Sequence, residues 1–219
     1  MIKTRPLWQE LTFDLAGFGL TVVLALRQNW SATDLVWGLW ISSLLLGFLY
    51  FFFAIGGTLD SPMGMEINSL GRNPLAWFVA IFMLAFFSFH FGFFHAGHSV
   101  FLYEFFPLEG VKSISDDFGV LSFFRLIFDV LWLYWPIVVL SAFPMITPFL
   151  DAYYYPSATL DLMGRPYANV IRMHIMILLL GFLSIGAGID GFALYIILIF
   201  FFFPLEKIYA VLRGGKETE

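Results

Sequence analysis

The chain has 219 residues, 60% of them hydrophobic and only 12% charged, against about 25% charged residues in an average soluble domain. Its mean hydropathy of +0.87 makes a membrane the expected solvent. The absence of Cys excludes disulfides, thiolate metal sites, Cys-ligated iron–sulfur clusters and thiol catalysis, and a net charge of −5 with dispersed cations excludes a nucleic-acid partner.

About 20 mostly apolar residues cross the roughly 30 Å hydrocarbon layer as a helix, and six segments fit that template. The expected fold is therefore all-α: a polytopic transmembrane helical bundle of six helices, in one domain over residues 1–219. The first six residues carry Lys3 and Arg5 but lead to no small-residue cleavage site, so the first apolar stretch, residues 11–26, is expected to stay as a helix. A second span covers residues 35–55, opened by Asp34 as N-cap and ended by Gly56 and Gly57. After a polar loop, Pro74 stands where a first-turn proline belongs and the third and longest segment runs to Phe106, where Pro107 stops it. The fourth covers residues 120–143, with a kink expected at Pro136. A long connection follows, whose tyrosines suit a membrane interface. The fifth and sixth segments, residues 167–187 and 191–211, are joined by a glycine-rich turn. No repeat of fixed period is present.

Positive charge marks the cytoplasmic side. Lys3, Arg5, Arg72, Arg165, Arg172, Lys207, Arg213 and Lys216 fall at or beside the termini and the second and fourth loops, against Arg27, Lys112 and Arg125 on the other side. Both termini are thus expected in the cytoplasm, which requires an even helix count.

Ionisable groups at membrane depth cost several kcal/mol unless paired or hydrated, and all four histidines lie inside apolar segments. His90, His95 and His98 share the third, and His174 lies in the fifth. At about 100° per residue, Ser88, Gly92, Ala96 and Ser99 form a small-residue seam that admits a close neighbour helix, which places this helix centrally. His95 borders that seam, His98 lies further round, and His90 is nearly opposite. His90 and His98 stand about 12 Å apart along the axis, too far to share an ion, whereas His95 and His98 at i, i+3 can share one. His174 can join only one of His90 and His98, as facing helices do in bundle-core metal and haem sites. The alternative is that each imidazole is hydrogen-bonded to a neighbouring helix. Arg125 and Asp129, four apart, are expected to neutralise each other, with Asp129 as an alternative metal ligand or proton carrier. Glu10 and Asp14 are expected to be hydrated at the interface, and Glu104 and Asp190 at segment ends.

Two stretches carry a resemblance. The run His90-Phe91-Gly92-Phe93-Phe94-His95-Ala96-Gly97-His98 and the run from Pro166-Tyr167-Ala168 to His174 resemble two motifs of an uncharacterised bacterial membrane family, a domain of unknown function, over residues 36–207. The resemblance implies a multi-pass protein of the bacterial inner (cytoplasmic) membrane with a buried cluster of His90, His98 and His174, His95 being extra. It implies no established activity. Two elements depart from the pattern: Trp40-Ile41-Ser42-Ser43 stands where W-x-E-N is expected, and Ser141-Ala142 where Ser-His is expected.

Three functions follow as expectations. The first is a redox or metal protein whose His90, His98 and His174 hold a haem or a transition metal such as iron, copper or zinc, with His95 and Asp129 as further metal ligands and Glu104 as an outer partner. The second is a non-catalytic subunit that packs helices, lipid or pigment, alone as a homo-oligomer or with other membrane subunits. The 29 Phe, seven Trp and nine Tyr serve this reading as packing and the first as a flat cofactor's surroundings. The third is a transporter or proton pathway through Asp14, Asp129 and the histidines, which the lack of an inverted repeat disfavours. A Ser88 or Ser99 dyad with His95 lacks an orienting acid.

Overall fold

The structure is a computed structural model that describes residues 7–60, 74–113, 119–154, 167–168, 170–180 and 190–214, and among these it contains helices and no strand. The helices are α1 (Leu7–Arg27), α2 (Ala32–Asp60), α3 (Pro74–Phe105), α4 (Val120–Tyr154), α5 (Val170–Leu180), α6 (Asp190–Phe202) and α7 (Leu205–Gly214). Four of them, α1 to α4, are long and apolar enough to cross a membrane, and a fifth crossing results if α6 and α7, bent by 50° at their junction, form one span. Residues 181–189, the second half of the expected fifth segment, lie outside the described residues.

The junction of α1 and α2 shows how local chemistry sets these elements. Asn29 takes the left-handed conformation at φ 52°, and the Trp30 N–H bonds back to the Ala25 carbonyl at 2.9 Å, which satisfies a terminal carbonyl of α1. Ser31 caps α2: its Oγ accepts from the Asp34 N–H at 3.2 Å while Asp34 Oδ2 accepts the Ser31 N–H at 2.7 Å. The expected cap was Asp34. Because the helix begins at Ala32, the aspartate instead occupies its third position and closes a reciprocal capping box.

Two expected helix ends also move. Gly56 and Gly57 do not stop α2, which runs on to Asp60. A helical glycine costs only about 1 kcal/mol, less than leaving a backbone group unpaired in hydrocarbon. Pro204, in contrast, splits the expected sixth span. It has no N–H and its ring crowds the carbonyl four residues earlier, so α6 ends at Phe202 and α7 restarts with the Ile208 N–H bonded to the Pro204 carbonyl at 3.0 Å. The kink expected at Pro136 is taken up two residues earlier, at Tyr134, whose φ and ψ are −120° and 19°.

The centre of the bundle is α2, not the histidine-bearing α3 as expected: 78% of the α2 span is buried, against 28% of that of α3. Two glycines explain how neighbours come so close. A Cβ on Gly38 would stand 2.5 Å from Ile137 Cδ1 of α4, and one on Gly47 would stand 2.5 Å from Phe91 Cε1 of α3. The resulting core contains Trp37, Trp40 and Ile41 of α2, Phe87 and Phe91 of α3, Ile137 of α4 and Met173 and Ile177 of α5. Two indole N–H groups fasten α3 to α2: Trp37 Nε1 donates to the Phe106 carbonyl at 2.8 Å and Trp40 Nε1 to the His95 carbonyl at 3.1 Å.

Candidate functional site

The aromatic ladder of α3 sets the histidines' positions. Phe87 stacks on Phe91 at 4.7 Å, and Phe91 lies 4.4 Å from His95. Because α2 holds Phe91 through Gly47 and the His95 backbone through Trp40, the rotation of α3 about its axis is fixed. That rotation turns His95 and His98 inward, where they are 0% and 3% exposed. Their ring centroids are 6.4 Å apart. His90 points outward, exposed, stacked on Phe86 at 5.6 Å and 6.4 Å from the Tyr167 ring.

The central contact crosses from α3 to α5. His98 Nε2 and His174 Nδ1 meet as hydrogen-bond partners, with ring centroids 4.3 Å apart. Phe94 covers both, 4.6 Å from His98 and 6.0 Å from His174. Of the two partners open to His174, the structure thus selects His98. His95 behaves differently: its Nδ1 bonds the Phe91 carbonyl one turn back at 2.9 Å, a partner on its own helix and not on a neighbouring one. Two ring nitrogens in this region, His95 Nε2 and His98 Nδ1, are buried without a hydrogen-bond partner among the described residues, as are the hydroxyls of Ser43 and Ser141.

The five residues expected as metal ligands do not gather. Among the described residues no group of three or more His, Asp or Glu side chains converges on one point. Asp129 lies apart on α4, lining a 330 Å³ polar pocket with Gly110, Lys112, Ser113, Ser122 and Arg125. Arg125 and Asp129 form no ion pair with each other. The small-residue seam is also used differently than expected. Ser88, Gly92 and Ala96 line an open apolar groove of 560 Å³ whose other walls include Phe48, Phe89, Phe93 and Phe123, and nothing stands within 4 Å of a Cβ placed on Gly92. Ser99, the fourth residue of the seam, is buried and donates to the Ala96 carbonyl at 2.7 Å.

A second polar constellation escaped the sequence reading. Lys207 of α7 reaches Asp14 at 2.8 Å and Glu10 at 3.2 Å on the first two turns of α1, so these carboxylates are paired rather than merely hydrated. Beside them Arg172 lies 4.8 Å over Phe200 and 5.1 Å over Phe201, and a 650 Å³ cavity lined by Asp14, Arg172, Glu206 and Lys207 opens at the α6–α7 break. The available signal was a lysine three residues after a proline inside an apolar run, together with two carboxylates at i, i+4.

The geometry defines a helical bundle of membrane-like helices in which buried His98 meets half-buried His174. The profile of a family of unknown function, DUF6498, matches residues 19–203, and the chain belongs to that family. Comparison with curated proteins and with solved structures gives no match.

Proposed function

We propose that this is a multi-pass protein of the bacterial cytoplasmic membrane in which His98 and His174 form a two-imidazole site for a transition-metal ion. The observation that carries the reading is their meeting across α3 and α5, 76 residues apart in sequence, with His98 buried and His174 half-buried. Two orphaned ring nitrogens lie beside that pair on His95 and His98. Neutral imidazoles suit iron, copper or zinc, and with two protein donors the remaining positions fall to water or an exogenous ligand. Haem is the poorer fit. Metal–nitrogen bonds of about 2 Å on each face of a porphyrin hold the two ligating nitrogens about 4 Å apart with the ring between them, whereas His98 Nε2 and His174 Nδ1 are in direct contact. His90, turned outward, is outside this site. The same-side placement of both termini draws support from Lys207, which joins the last helix to the first two turns of the first.

The test is element analysis and absorbance on the intact protein, purified without chelator. The expected result is a near-stoichiometric metal without a Soret band, lost in His98→Ala and His174→Ala and kept in His90→Ala. Metal-free protein, or metal that survives both changes, overturns the proposal. A second reading, a non-catalytic subunit that packs lipid, pigment or a partner helix, draws on the open Gly92 groove. It predicts co-purification of a polyene or a partner chain with metal-free protein.

A further inference from the structure

The last described helix, α7, has three distinct faces. Lys207, Ile208 and Val211 turn toward the bundle and are half-buried, with Lys207 paired to Asp14 and Glu10 of α1. Leu205, Tyr209 and Leu212 form a stripe at i, i+4, i+7 and are 67%, 64% and 66% exposed. Glu206 and Arg213 are exposed on a third face, which lies about 90° round the helix from the apolar stripe. A helix wholly in water has no use for three large exposed apolar side chains in a row, and one wholly in hydrocarbon has no place for Glu206 and Arg213. Protein on one side, hydrocarbon on the second and water on the third is the environment at the membrane surface.

We infer that α7 lies on the membrane surface, with Leu205, Tyr209 and Leu212 inserted at the headgroup–acyl boundary of the bilayer. Three further observations set its depth and direction. The chain turns by 50° where α6 meets α7, so α7 does not continue the direction of α6. The ion pairs hold α7 level with the first two turns of α1, where the 21-residue helix enters the membrane. On those turns Trp8 is 60% exposed, so Trp8 and Tyr209 form part of one interfacial aromatic belt. Lys207 thereby acts as a strut that fixes α7 to α1 at constant depth.

The inference rests on the membrane reading of the apolar helices. Because the chain contains no Cys, both can be tested on the full-length protein with single substitutions. Glu206→Cys, Tyr209→Cys, Leu212→Cys and Arg213→Cys, with Leu133→Cys at the middle of the α4 span as a control, are labelled with an environment-sensitive fluorophore and reconstituted in phosphatidylcholine–phosphatidylglycerol vesicles. Iodide in the water is expected to quench labels at 209 and 212 several-fold less than labels at 206 and 213. Lipid-borne quenchers are expected to place 209 and 212 about 5–10 Å below the headgroups and the Leu133→Cys label deeper. Equal iodide quenching at all four α7 positions overturns the inference. So do labels at 209 and 212 at the depth of the control, which makes α7 a continuing span, and labels shielded from both quenchers, which puts a protein there. An iodide-accessible control refutes the membrane reading itself.

Discussion

Replacing Gly38 with Ala probes the closest approach in the bundle. The new methyl would stand 2.5 Å from Ile137 Cδ1 and 2.8 Å from both Ile137 Cβ and Ile137 Cγ2. All three distances are well inside van der Waals contact, and Ile137 is 0% exposed, so the side chain has no free volume into which to retreat. Either α2 and α4 separate or Ile137 leaves its rotamer, and overpacking of this kind costs about 1–3 kcal/mol. Ile137→Ala alone opens a cavity at a cost of about 2–5 kcal/mol, but it also removes two of the three clashing atoms. The double variant is therefore expected to be more stable than the sum of the single losses by about 0.5–3 kcal/mol. The assay is reversible unfolding of the four proteins of this cycle in one detergent, followed by circular dichroism. Gly38→Ala within about 0.5 kcal/mol of the parent, the scatter expected of an inconsequential change, or strictly additive losses, would refute the claim that α2 and α4 touch backbone to side chain at this position.

Three other outcomes are expected in the same assay. Lys207→Met leaves the buried Asp14 carboxylate without its cation and should cost about 1–3 kcal/mol, between an exposed and a fully buried pair; adding Asp14→Asn should recover part of the loss, and an unchanged Lys207→Met protein would show the pair to be idle. Ser31→Ala removes the cap of α2 and should cost about 1 kcal/mol, whereas Thr33→Ala on the same turn should be nearly silent. Trp37→Phe keeps most of the ring but orphans the buried Phe106 carbonyl, for an expected loss of about 1–3 kcal/mol; a neutral result would mean that water or another donor reaches that carbonyl.

Much of the helical layout was legible because proline and apolar length act locally. Pro74 and Pro107 bracket α3 as expected, and the kink expected at Pro136 appears within one turn of it. What was misjudged depends on competition or on distance. Gly56 and Gly57 looked like a stop because in water a glycine pair often ends a helix, while in an apolar setting the unpaired backbone is the greater cost. Pro204 was passed over inside a strongly apolar run, and with it the change from the apolar pattern of α6 to the three-faced pattern of α7. The small-residue seam was read correctly as small, but the glycines that admit neighbours are Gly38 and Gly47, and composition alone does not say which glycine meets a helix. The histidines show the same boundary. Helical geometry separated His90 from His98, but the choice of His98 as the partner of His174 depends on how α2 orients α3, and no residue of either histidine segment records that.

The two indoles that fasten α3 have an optical consequence. Trp37 and Trp40 lie edge to face at 5.5 Å, and neither is exposed. Trp40 is 6.2 Å from His95, which is itself 6.4 Å from His98. The protein therefore contains its own reporter. Emission from this shielded pair would respond at close range to the ion proposed at His98, whereas Trp132 and Trp135, 83% and 59% exposed, respond to whatever surrounds the bundle.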